Sequence, residues 1–329
     1  MIKVYTTDGD RLRGAEIKPG EPLPEGALWI DLLNPSAEED TTVEKWIGAP
    51  IPTDKDMVEI EESSRFYMEE KVQYLTAPIL HAVNEHRVIS PISFILAGKR
   101  LVTVRYSEPK AFSIFLNRAT KPGNGLVEAD CTGLSVLIGL LEAITDRLAD
   151  ILEHVTEEIE SASNMILHRH QQQRPMSTKE FRRILTRIGS QGAFLSKVRE
   201  SLSGIGRLLA YVIANMENGP LREEARSRLA SVERDTRSLE NYIDFLSNKI
   251  TFLLDTIVGL ITVEQNAIIK IFSVAAVGLM PPTLIASIYG MNFHFMPELD
   301  EVWGYPAALI AMVLSAILPL IFFRRKGWL

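Results

Sequence analysis

The chain has 329 residues, 46% of them hydrophobic and 23% charged, and a formal net charge of −7. That length gives ample core for two or three domains, so folding needs neither disulfides nor a structural metal. Cys131 is the only cysteine, which excludes a disulfide framework, a thiolate zinc site and an iron–sulfur cluster. The acidic balance argues against nucleic-acid binding, which needs a basic face.

The first residues lack the apolar segment and small-residue cleavage site of a secretory signal. Residues 1–125 read as an α/β domain. Strands are expected at 2–5, 28–32, 72–80, 92–96 and 101–106, where Val, Ile, Tyr and Phe gather between turn residues. Helices are expected at 37–47, 54–63 and 109–118. Pro122, Gly123 and Gly125 then punctuate the chain.

Residues 126–267 read as long helices forming a stalk. Leu134, Leu137, Ile138, Leu141, Ile144, Leu148, Ile151, Leu152, Val155 and Ile159 keep to one helical face. Breaks at 171–175 and 218–220 separate a second helix, from about 178 to 216, and a third. In the third, Leu229, Val232, Thr236, Leu239, Ile243, Leu246, Ile250, Leu253, Ile257 and Leu260 alternate spacings of three and four. This heptad seam is the pattern of helices packed with a left-handed supercoil. No proline falls between Leu221 and Met280, so one continuous helix is expected to carry the stalk into the apolar segment beyond. Seventy residues of it would reach roughly 100 Å, a rod more useful to an oligomer than to a monomer.

Residues 268–329 read as a membrane hairpin. The runs 271–289 and 306–323 carry no charge and are long enough to cross about 30 Å of hydrocarbon. Their prolines, Pro281, Pro282 and Pro319, are better tolerated in a membrane than in water. Buried core helices are the alternative. Residues 268–329 hold three acids (Glu298, Asp300, Glu301) and four bases (Lys270, Arg324, Arg325, Lys326). From totals of 42 and 35 these leave 39 acids against 31 bases in the first 267 residues. The connection 290–305 has no Lys or Arg, and the bases flank the other ends of the spans. The positive-inside rule therefore predicts a cell (inner) membrane protein with both termini and the acidic domain cytoplasmic.

The third helix has a second face. At 100° per residue, Asp255 and Asn266 differ by only about 20° around the axis. Gly259 and Thr262 lie between them, and the same side continues through Ile269, Phe272, Ser273, Ala276, Met280, Thr283 and Ser287. Small residues of this kind permit close packing of helices. They also suit a pore lining made when several copies turn that face to one axis. Asn266 favours the second reading, because an amide near a membrane entry is costly unless it meets water, a neighbour or an ion.

The motifs at the end of the chain carry a resemblance. Tyr289-Gly290-Met291-Asn292-Phe293, then Met296-Pro297-Glu298-Leu299 and Trp303-Gly304-Tyr305-Pro306, closely resemble the CorA family of magnesium and cobalt transport channels. Glu264-Gln265-Asn266-Ala267 and Met280-Pro281-Pro282-Thr283 upstream do so as well. The resemblance implies an α+β membrane protein: an N-terminal α/β cytosolic domain, a long helical stalk and two C-terminal transmembrane helices. It implies a homopentamer with one pore, carrying divalent metal ions. Gly290, Met291 and Asn292 would form the outer ring that receives a hydrated ion. Thr283, Met280 and Asn266 would line the pore, with Ile269 and Phe272 near the constriction. Asp255 would be a regulatory Mg²⁺ ligand between subunits, its partner one of Asp54, Asp56, Glu59, Glu61 and Glu62. His294 stands where relatives often have an acid, which leaves the charge of the outer mouth open.

The residues suit that chemistry. Mg²⁺ surrenders its water reluctantly, and a span without Asp or Glu offers amide and hydroxyl oxygens to a hydrated or partly hydrated ion. Glu298, Asp300 and Glu301 would concentrate cations at the mouth, or belong to a solvated loop. Mg²⁺ would be both transported and regulatory, with Co²⁺ and Ni²⁺ as further cargo and no organic cofactor. No Walker-type loop and no nucleophile–base pattern marks an enzyme. A zinc transporter of a related branch would share the architecture; a membrane-anchored coiled-coil scaffold would explain the helices but not the loop motif.

Overall fold

The computed structural model describes all residues except 60, 84–85, 124, 126, 128–130, 172–176, 216–219, 293, 295 and 328–329. It forms two compact units, one of residues 1–168 with 178–251 and one of 169–177 with 252–329. An N-terminal α/β domain is followed by long helices and two apolar C-terminal helices.

The α/β part of the first unit is a seven-stranded mixed sheet. Its strands are β1 (Ile2–Asp8), β2 (Arg11–Ile17), β3 (Ala27–Leu33), β4 (Phe66–Glu69), β5 (Val72–Val83), β6 (His86–Ala97) and β7 (Arg100–Arg105), in the order β2-β1-β3-β7-β6-β5-β4. Only β3 and β7 pair in parallel, Ile30 opposite Val102. The central strands are buried on both faces, as in a doubly covered sheet, one face carrying Asp31, Thr103 and Arg105 among its apolar residues. Helix α1 (Ala37–Ile47) keeps its expected bounds because both ends are signalled. Ser36 and Glu39 form a capping box, and Gly48 closes the helix at φ 72°.

Three features depart from the sequence reading. The helix expected over 54–63 is two short ones, α2 (Asp54–Met57) and α3 (Glu62–Arg65). The strands β2 and β4, at the two edges, were not expected. Strand β2 is short of apolar residues, and its Gly14 sits under Tyr5, where a Cβ would come within 2.7 Å of the ring. Strands β5 and β6 run further than expected, past two prolines, Pro78 and Pro91, placed directly opposite each other. Neighbouring pairing stops at Leu75 on the β4 side and Ile92 on the β7 side, so each proline has an unpaired edge to face.

That two-stranded extension lies along a helix. Helix α4 (Lys110–Ala119) is followed by α5 (Gly133–Gln171), α6 (Thr178–Ala214) and α7 (Pro220–Tyr289). The Leu80 N–H donates to Ser201 Oγ of α6 at 3.2 Å, and a Cβ on Gly204 would collide with Pro78 Cδ. In the first unit α5 and α7 run parallel, as Arg228–Glu142 and the Tyr242–Thr156 hydroxyl pair show. Helix α6 runs antiparallel to both, through Arg199–Asp244 and Arg187–Glu158.

The heptad seam of α7 is buried from Leu229 to Ile250 except at half-buried Leu239. Thr236 and Ile250 approach Gly206 and Gly192 of α6. Here the seam packs within the chain, so it does not by itself call for further copies.

Candidate ion pathway

The second unit holds the last part of α7, helix α8 (Pro297–Asp300) and helix α9 (Gly304–Arg325). Both α7 and α9 contain stretches long and apolar enough to cross a membrane, with mean hydropathy 1.9 and 2.4. Only 11% and 0% of the residues in those stretches are buried. Core helices of a water-soluble fold bury such surface; these leave it open for lipid or for other copies.

Helix α7 has two distinct sides here. Val274 is 4% exposed, Gly278 one turn later is buried, and a Cβ on Gly278 would stand 3.8 Å from Leu320 Cδ2 of α9. At 100° per residue, Ala276, Met280, Thr283 and Ser287 lie on the side away from this contact. That far side is uncovered: Ile269 is 61% exposed, Phe272 71% and Met280 70%. Asp255, Asn266, Ala276, Thr283 and Ser287 are exposed as well, and Ser273 is half-buried. Between 276 and 287 this face forms a groove of about 620 Å³ lined by Ala276, Leu279, Met280, Pro281, Thr283, Leu284 and Ser287. Four of the seven belong to the stripe read from the sequence. Leu279, Pro281 and Leu284 were not anticipated, since a stripe chosen for small and polar residues passes over its apolar flanks. Gly278 was also missed; a glycine inside an apolar run was the available sign.

The hydroxyls on this side are oriented by the helix itself. Thr283 Oγ1 donates to Leu279 O at 2.7 Å, and Thr262 Oγ1 to Val258 O at 2.9 Å. With the proton committed to the backbone, each oxygen has only acceptor capacity left for anything outside.

Helix α7 ends at the motif. Gly290 N–H donates to Ala286 O at 3.0 Å and Met291 N–H to Ile288 O at 3.3 Å, which caps the last carbonyls. Asn292 follows the bend at Met291, exposed, at the negative end of the helix dipole. Phe293 lies outside the described residues, as does the side chain of Glu298. Asp300, Glu301 and His294 are exposed.

The proposed regulatory acids divide between the units: Asp255 in the second, Asp54 to Glu62 in the first. Two of the latter are already engaged. Asp56 accepts from Thr53 N and Oγ1 at 2.8 and 2.7 Å, and these bonds hold its carboxyl below the ordinary value of 3.8. Glu62 pairs with Arg207 at 2.8 Å. Among the described residues of this single chain, no three His, Cys, Asp or Glu side chains are grouped so as to hold a metal ion.

An α/β head, a helix of seventy residues and two uncovered helices long and apolar enough to cross a membrane have the architecture of a two-span membrane protein. Residues 24–325 match the family described as CorA-like Mg²⁺ transporter protein. The chain is 33% identical over 332 aligned residues, the whole of both chains, to the magnesium transport protein CorA of Escherichia coli K12. The same identity and coverage hold for that of Salmonella typhimurium. The fold is that of the CorA magnesium transporter from Methanocaldococcus jannaschii, with TM-score 0.80 at 19% identity, covering 100% of this chain and 99% of that one. The chain belongs to the CorA-like Mg²⁺ transporter family.

Proposed function

We propose that this chain forms a homopentamer in the cell (inner) membrane, in which five copies of α7 enclose one pore admitting Mg²⁺, and also Co²⁺ and Ni²⁺. Residues 1–125 would be the cytosolic head, 126–267 the stalk and 268–329 the membrane hairpin, both termini inside. The observation that carries this reading is the uncovered side of α7 that bears Asn266, Thr283 and Ser287 among apolar residues, turned away from α9 and leading to Asn292. If α9 stands outermost, that side is what the copies share.

The chemistry follows from hydration. A hydrated Mg²⁺ presents only water O–H donors to its surroundings, so a lining that selects it must accept hydrogen bonds. Thr283, its proton spent on Leu279 O, supplies an acceptor, as do the Asn292 and Asn266 amide oxygens. No carboxylate in the span competes to strip the ion, and full dehydration of Mg²⁺ is expensive. The end of the α7 dipole, roughly half a negative charge per helix, would attract cations to Gly290, Met291 and Asn292. Ile269 and Phe272 would form the narrow apolar rings where a pore closes by dewetting. A divalent ion moving inward gains about 4.6 kcal/mol per 100 mV, so no other energy source is needed. Cytosolic Mg²⁺ held between Asp255 and a neighbour's acid would favour the closed ring through its differential affinity.

The test is uptake of Mg²⁺, Co²⁺, Ni²⁺ and Zn²⁺ into proteoliposomes by the wild type and Asn292→Ala, with native mass spectrometry of both. The expected result is Mg²⁺ uptake by an intact pentamer, abolished in Asn292→Ala without loss of assembly. Uptake that survives the substitution removes Asn292 from the selectivity role, and a different stoichiometry removes the five-fold pore.

A further inference from the structure

Where α9 begins, the chain exposes large side chains in close succession: Val302 is 89% exposed, Trp303 77% and Tyr305 76%. Their backbone is fixed. Gly304 N–H donates to Glu301 O and Ala307 N–H to Trp303 O, both at 3.0 Å, so the first turn of α9 carries both rings. Among the described residues, neither the Trp303 indole N–H nor the Tyr305 hydroxyl has a hydrogen-bond partner. Each ring thus combines an uncovered apolar body with a polar tip that is not bonded within the chain. Water leaves the body badly solvated and hydrocarbon leaves the tip so; the layer between them satisfies both.

The spacing along α9 matches such a layer. Tyr305 and Arg324 are nineteen residues apart with no charge between them. At 1.5 Å per residue this is about 28 Å, close to the roughly 30 Å of a bilayer's hydrocarbon. The far end is polar: Arg324 and Arg325 are exposed, and the Lys326 ammonium lies 5.4 Å from the Phe322 ring centroid. The contact of Gly278 with Leu320 sets the register of α7 against this slab. Counting outward from that contact along both helices puts Tyr305 about 6 Å beyond the level of Tyr289, near the turn that carries Asn292.

We propose that Trp303 and Tyr305 are interfacial anchors docked at the headgroup level of the outer leaflet. They fix the depth of α9 and, through the Gly278–Leu320 contact, the depth of the Asn292 turn. The partner is lipid, at the junction of acyl chains and headgroups. A second copy is disfavoured because the rings stand on α9, whereas the side offered to other copies is the far side of α7. The proposal rests on the two-span membrane reading but not on ion selectivity.

The test is tryptophan emission from full-length protein in phosphatidylcholine–phosphatidylglycerol vesicles, with the Trp303 signal taken as the difference between wild type and Trp303→Phe. Lipids brominated near the top of the acyl chains should quench it several-fold more than lipids brominated near the bilayer centre, and more than aqueous acrylamide. Moving the reporter, with Tyr305→Trp in the Trp303→Phe background, should give the same ordering. Dominant quenching by acrylamide or by deep bromines overturns the proposal, as does protection from all quenchers, which would mean burial between copies. If the protein fails to float with the vesicles, the membrane reading falls with it. If it floats and Trp303 is aqueous, only the anchor proposal falls.

Discussion

Gly278 of α7 lies against Leu320 of α9, so close that an added Cβ would be in ordinary van der Waals contact at 3.8 Å from Leu320 Cδ2. The two apolar helices meet where one of them has no side chain. A methyl group fits this space and a ring does not. Gly278→Ala should leave thermal stability in detergent nearly unchanged, whereas Gly278→Phe should cost about 1–3 kcal/mol through overpacking. Equal tolerance of both would mean that this is not where the helices hold together.

Arg105 and Asp31 form a buried pair across the parallel strands β7 and β3, at 2.8 Å and with side chains 8% and 1% exposed. Burial alone would lower the Arg105 pKa, but its hydrogen bonds to Asp31 and the charge of that carboxylate raise it, so it stays charged. Thr103 Oγ1 completes the network by donating to Asp31 at 2.7 Å while accepting from Trp29 Nε1 at 2.9 Å. Arg105→Met strands a carboxylate in the core and should destabilise the protein by about 3–5 kcal/mol. Adding Asp31→Asn removes the stranded charge while leaving an acceptor for Thr103, so the double variant should unfold at a higher temperature than Arg105→Met alone.

His81 gives the head domain an acid sensitivity. Its side chain is buried beside Ser90, 2.8 Å from Nε2 to Oγ. Burial lowers its pKa below the ordinary 6.5, and a hydrogen bond with the Ala82 backbone opposes this more weakly. The folded state therefore prefers neutral His81, and above pH 6.5 that preference costs nothing. As pH falls through 6.5 the unfolded chain takes up a proton that the folded one resists, and stability is lost until the lower folded value is reached. One such proton contributes at most about 1.4 kcal/mol per pH unit. Thermal midpoints from pH 7.5 to 5 should fall more steeply for the wild type than for His81→Gln; parallel curves would exclude His81 as a source.

Where local chemistry decided the structure, the sequence was a good guide. Helix α1 could be read to the residue because Ser36, Glu39 and Gly48 mark its ends, and the apolar helices because hydropathy is itself the physical constraint. Which residues share the uncovered side of α7 could be traced from helical periodicity alone. Strand β2 could not, because its place is set by cross-strand pairing with β1 rather than by its own residues. The start of α2 was marked by Thr53 and Asp56, but nothing comparable signals its stop at Met57. The seam from Leu229 onward suggested partners without saying which; α6 of the same chain supplies them, since periodicity reports a buried face and not what buries it.

Asp255 bears on control of the proposed pore. Asp255 is exposed on α7, eleven residues before Asn266 and on the same side of the helix. A carboxylate there can bind a cation only with help from elsewhere, because no metal-sized group of ligands surrounds it among the described residues of its own chain. If that help comes from a neighbouring copy, occupied sites hold the ring together and empty ones leave like charges facing each other. Coupling between such a site and the proposed pore would be worth about 1–3 kcal/mol, so Asp255→Ala should raise the internal Mg²⁺ concentration that halves influx by on the order of tenfold, with uptake at low internal Mg²⁺ unchanged. Glu62→Gln should do less, since its carboxylate is already tied to Arg207. Inhibition that stays at the wild-type concentration in Asp255→Ala would show that closure is controlled from another site.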